Sequence, residues 1–189
     1  MISAENESMK VVIIGDSNVG KTSIISRLMF NQFSAGGATV AAVFHHMILD
    51  TEIASYSLDL WDTAGQEKYH SVVENYFRGA SGGVVVFDVT DPHSLSNVRV
   101  WCEQLKRVCP DAKVMVIANK NDCEWRVKKD DVDNVVKITN ALYFETSAKS
   151  GENVKKSFIE LACVMRPKEV NCDGIDLSRG DHQDGYDCC

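Results

Sequence analysis

Basic residues do not dominate this sequence: 20 Lys and Arg stand against 27 Asp and Glu, a formal net charge of −7. The basic side chains are scattered, whereas a protein that grips nucleic acid clusters them on one face, so DNA and RNA are excluded as partners. Long hydrophobic runs are also absent. Runs such as Val11 to Ile14 and Val84 to Phe87 are strand-sized, far below the roughly 18 to 20 apolar residues that a membrane span requires. At the N-terminus, Met1-Ile-Ser-Ala-Glu-Asn-Glu-Ser8 has no basic stretch leading into an apolar one. Without a secretory signal the chain is expected to stay in the cytoplasm. Cys-x-x-Cys pairs are missing too. The seven cysteines, at 102, 109, 123, 163, 172, 188 and 189, are odd in number, and their spacing fits neither zinc nor thioredoxin-like chemistry. The first four read as ordinary thiols.

What remains is material for one globular domain. At 189 residues and 44% hydrophobic, the chain can bury about 70% of its unfolded surface without disulfide staples. Short β-branched runs alternate with longer amphipathic segments, the pattern of crossover units on a mostly parallel sheet. Strands are expected at Lys10 to Gly15, Val43 to Leu49, Ile53 to Trp61, Gly83 to Phe87, Val114 to Asn119 and Leu142 to Phe144. The second and third, joined around Asp50-Thr51, form the one antiparallel pair. Helices fit Lys21 to Phe30, Asp91-Pro92 to Val108, Asp130 to Thr139 and Gly151 to Met165, with Pro92 suited to a first helical turn capped by Asp91. The acidic run Lys129-Asp-Asp-Val-Asp133 suits a helix start, where carboxylates meet the positive end of the dipole. Residues 1–8 read as a flexible N-terminus and 9–167 as the domain. Residues 168–189, with two basic and six acidic residues, read as a disordered tail.

Three motifs carry chemistry. Gly15-Asp-Ser17-Asn18-Val19-Gly20-Lys21-Thr22 fits GxxxxGKT at a strand-to-helix junction. There the backbone can curl its N–H groups onto phosphate oxygens, Lys21 can reach the β and γ phosphates, and the Thr22 hydroxyl can ligate Mg²⁺. Asn119-Lys120-Asn121-Asp122 follows an apolar strand, and Ser147-Ala148-Lys149 follows the next. Guanine presents two neighbouring donors, N1–H and the exocyclic amino group, that one carboxylate can accept together; adenine has no such pair. Asp122 therefore points to guanine, and selectivity built on paired buried hydrogen bonds can be large. In Trp61-Asp62-Thr63-Ala64-Gly65-Gln66-Glu67, Asp62 is placed to hold Mg²⁺ through water, Gly65 to feel the γ phosphate, and Gln66 to orient the attacking water.

Together, and in this order, these motifs resemble the small GTPases of the Ras superfamily over residues 9 to 166. The expected fold is a P-loop small G domain, α/β, with a six-stranded mostly parallel sheet, one antiparallel strand and helices on both faces. The resemblance adds Ser23 to the phosphate contacts and Phe33 as the aromatic packed against guanine. Five further stretches resemble the Rab branch: Val40-Ala-Ala-Val-Phe44, Ser57-Leu-Asp-Leu-Trp61, Lys68-Tyr-His-Ser71, Tyr76-Phe-Arg-Gly-Ala80 and Val86-Phe-Asp-Val-Thr90. Phe44, Trp61 and Tyr76 match the aromatic triad that Rabs present to effectors. Thr39 matches the residue that completes the Mg²⁺ shell and contacts the γ phosphate.

The first switch departs from the family. Five residues, Ser34-Ala-Gly-Gly-Ala38, separate Phe33 from Thr39, one fewer than usual; Ala41 replaces a usual Gly, and Gly36-Gly37 adds backbone freedom. The switch is therefore expected to close on GTP less completely than is typical. No arginine finger is expected in cis, because Arg78 and Arg99 fall too far along the fold. Intrinsic hydrolysis should then be slow and accelerated in trans. The ending Asp187-Cys188-Cys189 does not fit CaaX but resembles the Rab pattern of two geranylgeranylated thiols, which anchor where one chain is marginal.

The resemblance implies GTP or GDP and Mg²⁺ as ligands. It also implies an exchange factor, a GTPase-activating protein, a GDP-dissociation inhibitor or escort protein, and effectors as partners. The expected protein is a monomeric switch in vesicle trafficking that cycles onto the cytosolic face of an intracellular membrane. Two alternatives from other classes are a non-hydrolysing GTP-bound scaffold, favoured if the short switch misplaces Thr39, and a small-molecule P-loop kinase, which would not need Asp122 or the terminal cysteines. His45 and His46, adjacent in a strand, point to opposite faces and cannot share a metal. His70, in the second switch, reads as an interface residue.

Overall fold

The computed structural model describes residues 8–34, 39, 42–52, 54–63 and 75–166. Six strands form one sheet: β1 (Met9–Ile14), β2 (Val43–Asp50), β3 (Ser55–Asp62), β4 (Gly82–Asp88), β5 (Lys113–Asn119) and β6 (Leu142–Glu145), in spatial order β2-β3-β1-β4-β5-β6. Only β2 and β3 run antiparallel, from Val43 opposite Asp62 to Asp50 opposite Ser55. The other neighbouring pairs are parallel, as the sequence pattern implies. The expected third strand starts two residues late. Thr51 closes a turn by donating its N–H to Ala54 O and taking the Ala54 N–H on its hydroxyl, so pairing begins at Ser55.

Helices α1 (Lys21–Phe30), α2 (Pro92–Val108), α3 (Lys129–Thr139) and α4 (Val154–Met165) cover the two faces. Alternation along the strands decides which. Val12, Ile14, Val85, Phe87, Val114 and Val116 pack with Trp101 and Leu105 of α2 and Val132 of α3. Val11, Ile13, Val84, Val86, Met115 and Ile117 pack with Ile24 and Ile25 of α1 and Phe158 and Leu161 of α4. Every residue of β4 is buried, as a central parallel strand covered on both sides requires.

Two helix starts differ in cause. The α2 start follows its local signal, since Pro92 occupies the first turn and the Asp91 carboxylate accepts from His93 N at 3.0 Å. The α4 start lies at Val154 rather than Gly151. Residues 148–153 instead form turns in which Gly151, at φ +91°, donates its N–H to Ser147 O, and Asn153, at φ +54°, precedes the helix. Because all strands but β2 run the same way, the loops after β1, β3, β4, β5 and β6 share one edge of the sheet, where doubly wound folds place their ligands.

Candidate nucleotide-binding site

The loop between β1 and α1 needs glycine at both ends. Gly15 has φ +135° and a Cβ there would sit 2.2 Å from Val86 O; Gly20 has φ +96° and a Cβ would sit 2.4 Å from Asn119 Nδ2. Any other residue would be strained twice, by the backbone angle and by the contact. Asn18, at φ +65°, adopts the left-handed conformation that asparagine tolerates. α1 starts directly after Gly20 with no side chain capping it, so its first N–H groups and dipole remain available to an anion.

Lys21 is buried, and its ammonium donates to the carbonyls of Gly15 at 2.9 Å and Asp16 at 2.7 Å. Burial pulls its pKa down to about 8, against the opposing charges of Asp62 and Asp16. Beside it stand three oxygen donors. Thr22 Oγ1 donates to Asp62 Oδ2 at 2.7 Å and lies 2.8 Å from Thr39 Oγ1. Thr39 thus stands beside Thr22 at this corner. Burial raises the Asp62 pKa, against the Thr22 hydrogen bond and the positive charge of Lys21. The other carboxylate oxygen, Asp62 Oδ1, is buried with no hydrogen-bond partner among the described residues. An all-oxygen donor set holding an unsatisfied carboxylate oxygen fits a hard divalent cation.

Next to this corner lies a cavity of about 290 Å³ lined by Asn18, Gly20, Ser23, Phe33, Asn119, Lys120, Asp122, Ala148 and Lys149. Buried Asn119 is its hub: Nδ2 donates to Val19 O at 2.8 Å, and Oδ1 accepts from Ala148 N at 3.2 Å. The phosphate loop and the Ser147-Ala148-Lys149 loop are thus tied through one side chain. Asp122 accepts from Ser147 Oγ at 2.5 Å, which lowers its pKa, and Lys149 Nζ stands 3.7 Å away. A carboxylate held ionised at the cavity edge can accept two adjacent N–H groups of a bound base. Lys120, at φ +66°, pairs with buried Asp88 at 2.5 Å. Ser23 Oγ donates to Ser34 O at 2.8 Å, and Phe33 remains 47% exposed.

A family model of the Ras family matches residues 10–166. The chain belongs to the Ras family, as a Rab-type small GTPase. It is 38% identical over 161 residues to the GTP-binding protein ypt5 of Schizosaccharomyces pombe, covering 82% of this chain and 76% of that protein. With the putative Ras-related protein Rab-5B of Dictyostelium discoideum it shares 36% over 159 residues, 82% of this chain and 74% of the relative. The Ras-related protein SEC4 of Candida albicans is 32% identical over 196 aligned positions, 96% of this chain and 93% of the relative.

In this Rab-type GTPase the three candidate effector aromatics form one surface cluster. Phe44 and Trp61 rings are 5.4 Å apart, Trp61 and Tyr76 are 5.7 Å apart, and Lys10 Nζ lies 5.0 Å from the Trp61 ring. Phe44 is 50% exposed while Trp61 and Tyr76 are half-buried, so the cluster is not core. His46 lies directly opposite Asp59 across the β2–β3 pair, and its Nδ1 meets the Asp59 carboxylate at 2.8 Å. Gly65, Gln66, His70, Val40, Ala41, Cys188 and Cys189 lie outside the described residues.

Arg27 of the GTPase joins two loops that are distant in sequence. Its Nε donates to Ala148 O at 2.8 Å and Nη2 to Lys149 O at 2.6 Å, while Nη1 reaches Asn31 O at 2.8 Å and Asn31 Oδ1 at 3.2 Å. It fastens the base-side loop to the phosphate-side helix. Its partners are 121 and 122 residues away in the chain, and a lone arginine on a helix carries no signal of that.

Proposed function

We propose that this GTPase is a Rab-like molecular switch that binds GTP and GDP with Mg²⁺, hydrolyses GTP slowly, and recruits effectors to an intracellular membrane in vesicle trafficking. The observation that carries this reading is the convergence of Thr22, Thr39 and Asp62 beside Lys21. Thr39 belongs to the segment that would hold a γ phosphate, so loss of that phosphate would remove its anchor.

In the loaded state Lys21 and the N–H groups at the start of α1 bind phosphate oxygens, while Asp122 and the Ser147-Ala148-Lys149 loop hold the base. Thr22 and Thr39 would supply hydroxyl ligands to Mg²⁺, with Asp62 holding its hydration. The ion, when bound, supplies positive charge against the phosphate oxygens. Gln66 orients the attacking water, and the resulting in-line geometry contributes through positioning rather than new covalent chemistry. With no arginine finger expected in cis, charge stabilisation would await a GTPase-activating protein, and release from a many-armed site would call for an exchange factor.

No helix among the described residues is long and apolar enough to cross a membrane. Anchoring is assigned to geranylgeranylated Cys188 and Cys189, with a GDP-dissociation inhibitor or escort protein solubilising the lipids. Two chains bind stably, and the acidic tail leaves the selection of membrane to lipid and partner contacts.

Single-turnover hydrolysis of GTP with Mg²⁺ tests the switch, comparing the wild-type chain with Gln66→Leu. Slow turnover that falls further in the variant is expected. If both proteins held GTP unchanged for hours, the hydrolytic part of the proposal would be wrong.

A further inference from the structure

A carboxylate inside a phosphate-binding loop works against the loop, because it repels the anion to be held. Asp16 is such a residue. It is second in the Gly15–Thr22 segment and only 9% exposed, and a buried acid persists where donors satisfy it. One helix supplies both donors: Trp101 Nε1 donates to Oδ1 at 2.8 Å, and Asn97 Nδ2 donates to Oδ2 at 2.7 Å. His93 Nδ1 stands 3.7 Å from Oδ2. Residues 93, 97 and 101 are spaced by four along α2, so they form one stripe against the loop. Trp101 is 2% exposed and packed in the core with Val12, Ile14 and Phe87, which makes its indole a fixed donor. The backbone carbonyl of the same Asp16 accepts from Lys21 Nζ. One residue thus joins α2 to the ammonium that meets the phosphates.

We propose that Asp16 is a positioning residue for phosphate binding, clamped by Asn97 and Trp101 so that its carboxylate is held on α2 and its carbonyl aims Lys21. The inference rests on guanine-nucleotide binding by this chain. Hydrogen bonds to an ionised acceptor are the stronger kind and fix direction as well as distance, so the clamp sets how tightly nucleotide is retained. The GxxxxGKT spacing does not ask for an acid at this position, and the stripe that satisfies it lies some 80 residues later.

The test is release of preloaded fluorescent GDP from the full chain in Mg²⁺. Trp101→Phe keeps the ring in the core and removes the donor. Asn97→Asp sets two carboxylates against each other at a half-buried position that is tolerant of polar change. Each should speed release about tenfold, by loss of a charge-assisted hydrogen bond. Adding Asp16→Asn to Asn97→Asp puts an amide donor back between the two positions and should return the rate to within about threefold of wild type. A purely structural role would not produce that rescue. Wild-type release from both single variants, or a double variant no slower than Asn97→Asp, would overturn the clamp. Failure of the wild-type chain to load labelled GDP would instead overturn nucleotide binding itself, and the clamp with it.

Discussion

Replacing Arg27 with methionine should loosen the base-side loop without disturbing the core. The substitution keeps an unbranched stem beside Gly151, whose added Cβ would lie 3.3 Å from Arg27 Cδ, and deletes the guanidinium. Four hydrogen bonds are lost, two to the loop and two to Asn31. They are not equal. Ala148 is 3% exposed, so its carbonyl loses a partner that water cannot readily replace, at a cost of about 1–3 kcal/mol. Lys149 and Asn31 are exposed, and solvent takes over those bonds at about 0–1 kcal/mol in all. If about half of this appears as displacement of Ser147 and Ala148 from the base, GDP binding weakens by about 0.5–2 kcal/mol, or about 2- to 30-fold. Stopped-flow release of a fluorescent GDP analogue measures this directly. The nucleotide-bound melting temperature should fall by about 2–16 °C, at about 2–4 °C per kcal/mol for a domain of this size. Release within twofold of wild type would refute the reasoning, because the loop would then hold its place without Arg27.

Three further outcomes follow from the same geometry. Gly20→Ala places a methyl 2.4 Å from Asn119 Nδ2 at φ +96°; it should weaken GDP binding at least about tenfold, since backbone strain alone costs about 1–2 kcal/mol, and equilibrium titration would show it. Asp122→Asn replaces an acceptor by a mixed donor and acceptor, so competition binding should show reduced preference for GDP and a gain for xanthosine diphosphate, whose C2 carbonyl needs a donor. Lys21 has its pKa drawn down from 10.5 to about 8, so between those values the unfolded chain retains a proton that the nucleotide-free fold has released. Stability of the nucleotide-free fold should therefore rise with pH across that window. Affinity for GDP should fall as pH rises past about 8, because the phosphates need the ammonium. Denaturation and titration from pH 7 to 10 would show both trends, and Lys21→Met should abolish them.

Much of the fold was legible because its signals are local. Short β-branched apolar runs placed β1, β4 and β5 to within a residue or so, and Asp91-Pro92 marked the start of α2. The start of α4 falls at Val154, three residues beyond the Gly151 that the sequence pattern implies, because the turns after Ser147 are held by Gly151 and Asn153 conformations that hydrophobic periodicity does not encode. The aromatics Phe44, Trp61 and Tyr76 could equally have been core residues on their sequence alone. Phe44 is exposed because β2 is the sheet's edge strand, and Trp61 joins it because β3 pairs with β2 in the register that sets the two opposite each other, both facts of strand order.

The sequence by itself determined the chemistry that fits in one short stretch: a phosphate loop whose glycines and lysine are contiguous, and a carboxylate and serine following successive strands. Each works through spacing along the backbone, which sequence preserves. Tertiary structure alone decided what converges from afar. Thr22, Thr39 and Asp62 meet because β1 and β3 are neighbours, Arg27 meets Ala148 because α1 and α4 cover the same face, and Asp16 meets Trp101 because α2 covers the other. Those contacts depend on strand order and on which face each helix covers, and neither is written in any single segment.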